Sequence, residues 1–262
     1  MQTKKKYIFF DIDGTLTSHT KRDFISESTL QAIDQLKAKG HFVSLATGRS
    51  VFLAKEVAPR VNINNLVCEG GNGLIINGEL HSYEPLDQEK VITIIEKCEE
   101  VGLSWAISNE DSPVVLTKDK SFVEHMTKVP FITRIEYDET YDFRNETSAR
   151  RVFIENKPEV IQSINEIKEI GLMVYHGSLF GLVEPDDKYK GIKKMVEFLG
   201  GQEEDIIVFG DGMNDIKMFE KAAFSVAMGN AEEELKKLAS YITDDADSDG
   251  IYNACRHLQL ID

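Results

Sequence analysis

Asp11 and Asp13 stand two residues apart in the run Asp11-Ile12-Asp13-Gly14-Thr15, directly after the apolar segment Tyr7-Ile8-Phe9-Phe10. Two carboxylates about 5 Å apart repel by roughly 3 kcal/mol at an effective dielectric near 20, so a cation belongs between them. A hard divalent ion with oxygen ligands, magnesium first, answers that need and would also gather phosphate oxygens. An acidic turn that caps the following segment is the plainer account of the same residues.

The pattern occurs twice, which weakens the plainer account. Gly210-Asp211-Gly212-Met213-Asn214-Asp215 follows a second apolar run, Ile206-Ile207-Val208-Phe209. Short runs of this composition read as parallel strands covered on both faces, and ligands of such sheets bind beyond the strands' carboxyl ends. If both loops leave the same edge, Asp211 and Asp215 approach Asp11 and Asp13. Four carboxylates in so small a volume require metal, lysine or arginine beside them.

Two segments offer cations. Phe42-Val43-Ser44-Leu45-Ala46-Thr47-Gly48-Arg49 is another strand running into a polar loop. There the Thr47 hydroxyl could bond a phosphoryl oxygen, and Gly48 would let main chain approach an anion. Arg49 reads equally as a substrate contact or as an ion-pair partner at the edge of the core. Asp186-Asp187-Lys188-Tyr189-Lys190-Gly191 precedes a helical pattern in Ile192, Met195, Val196 and Leu199. A lysine at a helix N-terminus opposes the macrodipole and needs an anion nearby. Spacing alone does not choose between Lys188 and Lys190.

In this order the four segments resemble the haloacid dehalogenase-like phosphatases, specifically the Cof-type branch with a large α/β cap. The family pattern is a DxDGT loop, a Thr or Ser ending the second strand, a lysine before the third segment, and a GDxxND loop. Here these are Asp11 and Asp13, Thr47, Lys190 preceding Gly191, and Asp211 with Asn214 and Asp215. The resemblance spans nearly the whole chain. It implies that Asp11 is the nucleophile and Asp13 the general acid and base. Magnesium is then held by Asp11, the Asp13 main-chain carbonyl and Asp211, while Asp215 orients a water on the ion. Thr47, the main chain at Ile12 and Gly48, Lys190 and Asn214 bind the transferring phosphoryl group. One loop departs from the pattern. Relatives have Asn-Gly-Ala where this chain reads Glu69-Gly70-Gly71-Asn72-Gly73, which leaves the reaction class alone and bears on substrate choice at Asn72.

Composition fits this reading. The chain has 262 residues, 42% of them hydrophobic, enough for one large or two ordinary domains. A formal charge of −15, from 30 basic and 45 acidic residues, argues against a nucleic-acid partner. Cys68, Cys98 and Cys255 are too few and too scattered for a disulfide framework or a CxxC metal site. The apolar run after Lys4-Lys5-Lys6 ends at Asp11, too short for a signal-peptide core, and no segment approaches a membrane span. A cytoplasmic location follows as the expectation. The sequence carries no signal for oligomeric state.

The expected fold class is α/β: a Rossmann-like parallel-sheet core with an inserted α+β cap domain. Residues 1–82 and 185–262 form the core, and 83–184 the insert. Within the core, Ser26 reads as the cap of a helix carrying Leu30, Ile33 and Leu36, and Gly40 as its stop. Asn77-Gly78 reads as the turn of a hairpin. In the insert, Gln88 to Val101 and Pro158 to Ile170 read as helices. Ser104 to Ser108, Val152 to Glu155, Met173 to His176 and Phe180 to Val183 read as strands, in one sheet with helices on one face.

In the resembled family the insert is a cap that excludes water and reads the leaving group. His176 is a candidate pocket residue there, with Trp105, Tyr175, Arg134 and Glu184, each of which also has an ordinary structural reading. The expected activity is hydrolysis of a small phosphorylated metabolite, a sugar phosphate first. A phosphomutase on the same core and a non-catalytic phosphometabolite sensor are the alternatives.

Overall fold

The computed structural model describes residues 4–21, 23–126, 134–173 and 179–262. The chain divides into two compact units, Met1–Tyr83 with Asp187–Asp262, and Glu84–Asp186. The strands begin with β1 (Tyr7–Phe10), β2 (Phe42–Ala46), β3 (Leu66–Cys68), β4 (Gly73–Ile76) and β5 (Glu79–Tyr83). The second unit holds β6 (Trp105–Ser108), β7 (Val114–Thr117), β8 (Arg134–Tyr137), β9 (Arg151–Glu155), β10 (Leu172–Met173) and β11 (Phe180–Val183). The chain then returns to the first unit with β12 (Ile206–Gly210), β13 (Phe224–Ala227) and β14 (Tyr241–Ile242).

The first unit is built on a sheet in the order β14-β13-β12-β1-β2-β3-β4-β5. From β14 to β3 every pairing is parallel, while β4 and β5 turn antiparallel at one edge. The alternation of side chains explains why the central runs are apolar throughout. Ile8 and Phe10 enter one core cluster with Ile207 and Phe209, and Tyr7 and Phe9 enter the other with Ile206 and Val208. Each central strand is therefore buried on both faces, as a doubly covered parallel sheet demands.

Local signals match local structure. Ser26 accepts a hydrogen bond from the Thr29 N–H at 3.2 Å ahead of the helix Glu27–Ala38, and Gly40 follows that helix at φ +86°. Asn77 and Gly78 both take positive φ, +53° and +87°, as a two-residue hairpin loop requires.

The second unit is a sheet in the order β10-β11-β9-β6-β7-β8, antiparallel except between β7 and β8. Trp105, Ile107, Val152, Ile154 and Val183 pack with Val91, Ile94, Ile95 and Cys98 of the helix Gln88–Val101. The other face is covered as well, which differs from the one-sided arrangement expected. Phe122, from the short helix Lys120–Met126, packs there with Ala106, Phe153, Phe180 and Leu182. The expected helix from Pro158 to Ile170 is two, Pro158–Ile161 and Asn165–Ile170. Between them the Ser163 hydroxyl donates to the Val160 carbonyl at 2.6 Å, a local bond that competes with helix continuation.

Cys68, Cys98 and Cys255 are all buried, and no disulfide joins them. No helix among the described residues is long and apolar enough to cross a membrane.

Candidate functional site

Parallel pairing aligns the carboxyl ends of β12, β1 and β2. Phe10 lies opposite both Phe209 and Leu45, so the residues that follow these strands emerge along one edge. Asp11 continues the ladder by donating its N–H to the Phe209 carbonyl at 3.0 Å. Beyond it the chain turns tightly, with Leu16 and Thr17 donating back to the Asp11 and Ile12 carbonyls at 3.2 and 2.9 Å. Gly14 makes that turn at φ +79°, and a Cβ there would lie 2.2 Å from Asp211 Oδ2. Only glycine lets the first acidic loop approach the second so closely.

Lys188 joins the two loops. Its Nζ donates to Asp11 Oδ1 and to Asp215 Oδ1, each at 2.6 Å, and its side chain is 1% exposed. Burial by itself would lower the Lys188 ammonium, but the carboxylates of Asp11 and Asp215 outweigh it and raise it, so the lysine stays charged. Asp215 is wholly enclosed. Its other oxygen accepts from the Asp211 and Gly212 N–H groups at 3.0 Å each, so this carboxylate braces the loop that carries Asp211.

Of the two lysines that spacing left open, Lys188 is the one placed among the acidic loops, while Lys190, the one the resemblance pointed to, lies outside them. The helix Lys188–Phe198 is capped by Asp187, whose side chain accepts from the Lys190 N–H. Residues 188 and 190 project about 200° apart around a helix axis. Lys188 shares the buried face with Ile192 and Met195, whereas Lys190 is exposed with its Nζ 3.4 Å from Asn72 Oδ1. The sequence held a signal for this choice. Stepping back four residues from Ile192 along the apolar stripe lands on Lys188 and passes over Lys190.

The Glu69–Gly71 loop backs this helix start. A Cβ on Gly71 would stand 2.2 Å from the Asp187 carbonyl oxygen, and one on Gly191 would stand 2.8 Å from the Gly71 oxygen. The glycines at 71 and 191 therefore let the loop press against the turn that presents Lys188.

Thr47 is buried at the end of β2, its N–H on the Val67 carbonyl and its hydroxyl accepting from the Arg49 N–H at 3.1 Å. Arg49 forks onto Asp13: Nε donates to Oδ2 at 2.9 Å and the guanidinium also grips Oδ1. The Asp13 side chain is 62% exposed, the most open of the four carboxylates. Asn214 lies half-buried in the turn Met213–Asp215. His176 and Tyr175 lie outside the described residues. Trp105 is core in the second unit, edge-on to Phe143 at 5.3 Å, while Arg134 pairs with Glu136 and Glu184 with Arg151.

Charge in the cluster is not balanced by these partners. Burial raises the Asp11 carboxyl well above its ordinary range; Lys188 opposes that, and Asp215, Asp211 and Asp13 add to it. The donors that reach the Asp211 carboxylate are neutral, Thr15 Oγ1 at 2.7 Å and Asn230 Nδ2 at 3.5 Å. Burial pushes Asp211 up to about 7. One oxygen from each of Asp11, Asp211 and Asp215 lies within 4.8 Å of the others. An all-oxygen, under-neutralised set of this kind fits a hard divalent cation between Asp11 and Asp211. Thr15 and Asn230 were not singled out in the sequence; both are found only through the approach of other loops to Asp211.

The same architecture occurs in known proteins. Residues 8–255 match the model of the haloacid dehalogenase-like hydrolases. YkrA of Bacillus subtilis is 31% identical over 258 residues, covering 98% of each chain. The 5-amino-6-(5-phospho-D-ribitylamino)uracil phosphatase YcsE of the same organism is 27% identical, over 97% of this chain and 96% of its own. Among solved structures, the subclass IIB sugar phosphatase BT4131 superposes with a TM-score of 0.79 at 27% identity, covering 98% of this chain and all of its own. With four acidic-loop carboxylates and a buried lysine gathered at the sheet edge, and a match running from the first strand to the last helix, this chain belongs to the haloacid dehalogenase-like hydrolase family.

Proposed function

We propose that the chain is a magnesium-dependent phosphatase that hydrolyses a small phosphorylated metabolite through a phosphoryl group carried on Asp11. The observation that carries this reading is the Asp11–Lys188–Asp215 link beside Asp211, with Asp13 open to solvent at the same edge.

In the first step an Asp11 carboxylate oxygen bonds to phosphorus as the bond from phosphorus to the leaving oxygen breaks. Asp13, protonated, gives its proton to the departing alkoxide. In the second step Asp13 takes a proton from water, the water oxygen bonds to phosphorus, and the bond to Asp11 breaks. Lys188 holds one Asp11 oxygen, which fixes the direction in which the other can attack, and its charge favours the anionic transferring group. Thr47 and the main chain at Ile12 and Gly48 supply neutral donors for the phosphoryl oxygens. Arg49 grips Asp13 in this structure, and Asp13 must leave that fork to reach a leaving group. Magnesium, held by Asp11, Asp211 and the Asp13 carbonyl, would supply charge neutralisation at the phosphoryl oxygens.

A sugar phosphate is the favoured substrate class. Support comes from the names of two similar proteins, one a sugar phosphatase and one a phosphatase of a phosphoribityl compound. We assign substrate selection to the second unit, whose sequence contributes nothing to the acidic loops.

Phosphate release from a panel of phosphorylated metabolites, with magnesium and with chelator, tests this reading. Release from one chemical class that chelator abolishes and added magnesium restores is the expected result. Release indifferent to chelator would overturn the metal requirement. No release from any member would overturn the hydrolase reading and favour phosphoryl transfer to an added sugar.

A further inference from the structure

β13 is the parallel neighbour of β12, so its carboxyl end reaches the edge that carries the acidic loops. There Met228 donates its N–H to the Gly210 carbonyl at 3.1 Å and Glu232 donates to the Asp211 carbonyl at 2.9 Å. Asn230 lies between these two backbone ties, half-buried, and its side chain joins three separate stretches of chain. Nδ2 donates to the Gly14 carbonyl at 2.8 Å and reaches Asp211 Oδ2 at 3.5 Å. Oδ1 accepts from the Ala246 N–H at 2.9 Å.

The amide can sit only one way round. Two acceptors, the Gly14 carbonyl and the Asp211 carboxylate, lie on one side and a donor, the Ala246 N–H, on the other. A flipped amide would set oxygen against both acceptors and N–H against N–H. Asn230 is thus oriented from outside the site by Ala246 and presents a fixed donor to the point where the first acidic loop meets the second. Thr15 holds the other Asp211 oxygen at 2.7 Å, so the carboxylate plane is pinned from both ends.

We propose that Asn230 is a positioning residue: by tying the Gly14 turn to the Asp211 carboxylate it sets the affinity of the acidic loops for a divalent cation. This rests on the magnesium reading above. Groups that orient a metal-binding carboxylate from behind typically change metal affinity about 10–100-fold when removed.

Calorimetric titration of the metal-free full chain with magnesium chloride, wild type beside Asn230→Ala, tests it. The expected result is a dissociation constant raised about 10–100-fold in the variant, with kcat recovering towards wild type at saturating magnesium and little change in substrate KM. A residue that merely holds the fold together would lower the unfolding temperature and leave metal affinity where it was. Equal affinities in wild type and variant would overturn the inference alone, whereas a wild type that binds no magnesium would overturn the metal reading beneath it.

Should Asn230→Ala not fold, Ala246→Pro decides. Ala246 opens a short helical turn, and Asp245 before it is extended at φ −59°, ψ 150°, both compatible with proline. That substitution deletes the N–H that orients the amide and should weaken magnesium binding in the same direction. Unchanged affinity in it would count against the inference.

Discussion

Asp11→Asn should lower kcat by about ten-thousandfold or more, the scale expected when a covalent nucleophile is removed. The same substitution should not cost stability. Asp11 is buried, and burial raises its carboxyl against the opposing pull of Lys188, so the folded state already disfavours a charge there. A neutral amide of equal size keeps an oxygen for Lys188 Nζ and lets its N–H₂ face neighbouring carboxylates. Thermal unfolding in chelator should therefore give a midpoint equal to or above wild type, while phosphate release falls to background. A variant with lost activity and a lowered midpoint would point to a collapsed site in place of a missing nucleophile.

Lys188→Ala should fail in both respects. Its ammonium is the shared partner of Asp11 and Asp215, both buried, and its loss leaves two carboxylates without that counter-ion. Removing one partner of a buried ion pair costs about 3–5 kcal/mol. Denaturant unfolding at neutral pH in chelator should show a loss of that size, with kcat/KM down about a thousandfold because orientation and charge go together. Lys190→Ala is the control. Its side chain is exposed, and its removal should change stability by no more than about 0.5 kcal/mol and leave kcat/KM within a few-fold of wild type. The reverse order of effects would return the role to Lys190.

The core was legible where neighbouring residues decide structure. The runs ending at Phe10, Ala46 and Phe209 announce strands because a sheet covered on both faces has no polar side, and the parallel order then delivers Asp11, Thr47 and Asp211 to one edge. Gln88–Val101 was readable from its periodicity, and Asn77-Gly78 from the positive φ that both positions must adopt. The burial of Lys188 was legible too: the family pattern points to the lysine before Gly191, but the helical stripe from Ile192 decides which lysine faces inward. Arg134–Tyr137 escaped notice since an edge strand of mixed polarity carries little alternation. Val114–Thr117 is a plainer apolar run that forms a strand beyond those expected of the insert.

Other contacts of the site have no signature in the local sequence. The donors Thr15 and Asn230 meet at Asp211 from positions more than two hundred residues apart, and only the sheet order brings them together. The fork of Arg49 on Asp13 is similar: both residues stand out in the sequence, but their pairing depends on β1 and β2 being neighbours. In the second unit, Phe122 covering the far face of the sheet could not be read from a seven-residue helix, too short to display a periodic stripe.

The most direct test of the account is to trap the phosphorylated enzyme. Turnover of a substrate carrying radiolabelled phosphate, quenched in acid within milliseconds, should leave label on the protein that hydroxylamine releases, as expected of an acyl phosphate. Peptide mapping should place it on the segment containing Asp11, and Asp11→Asn should carry none. Label on any other residue, or turnover retained by Asp11→Asn, would contradict the assignment of Asp11 as the residue that takes the phosphoryl group.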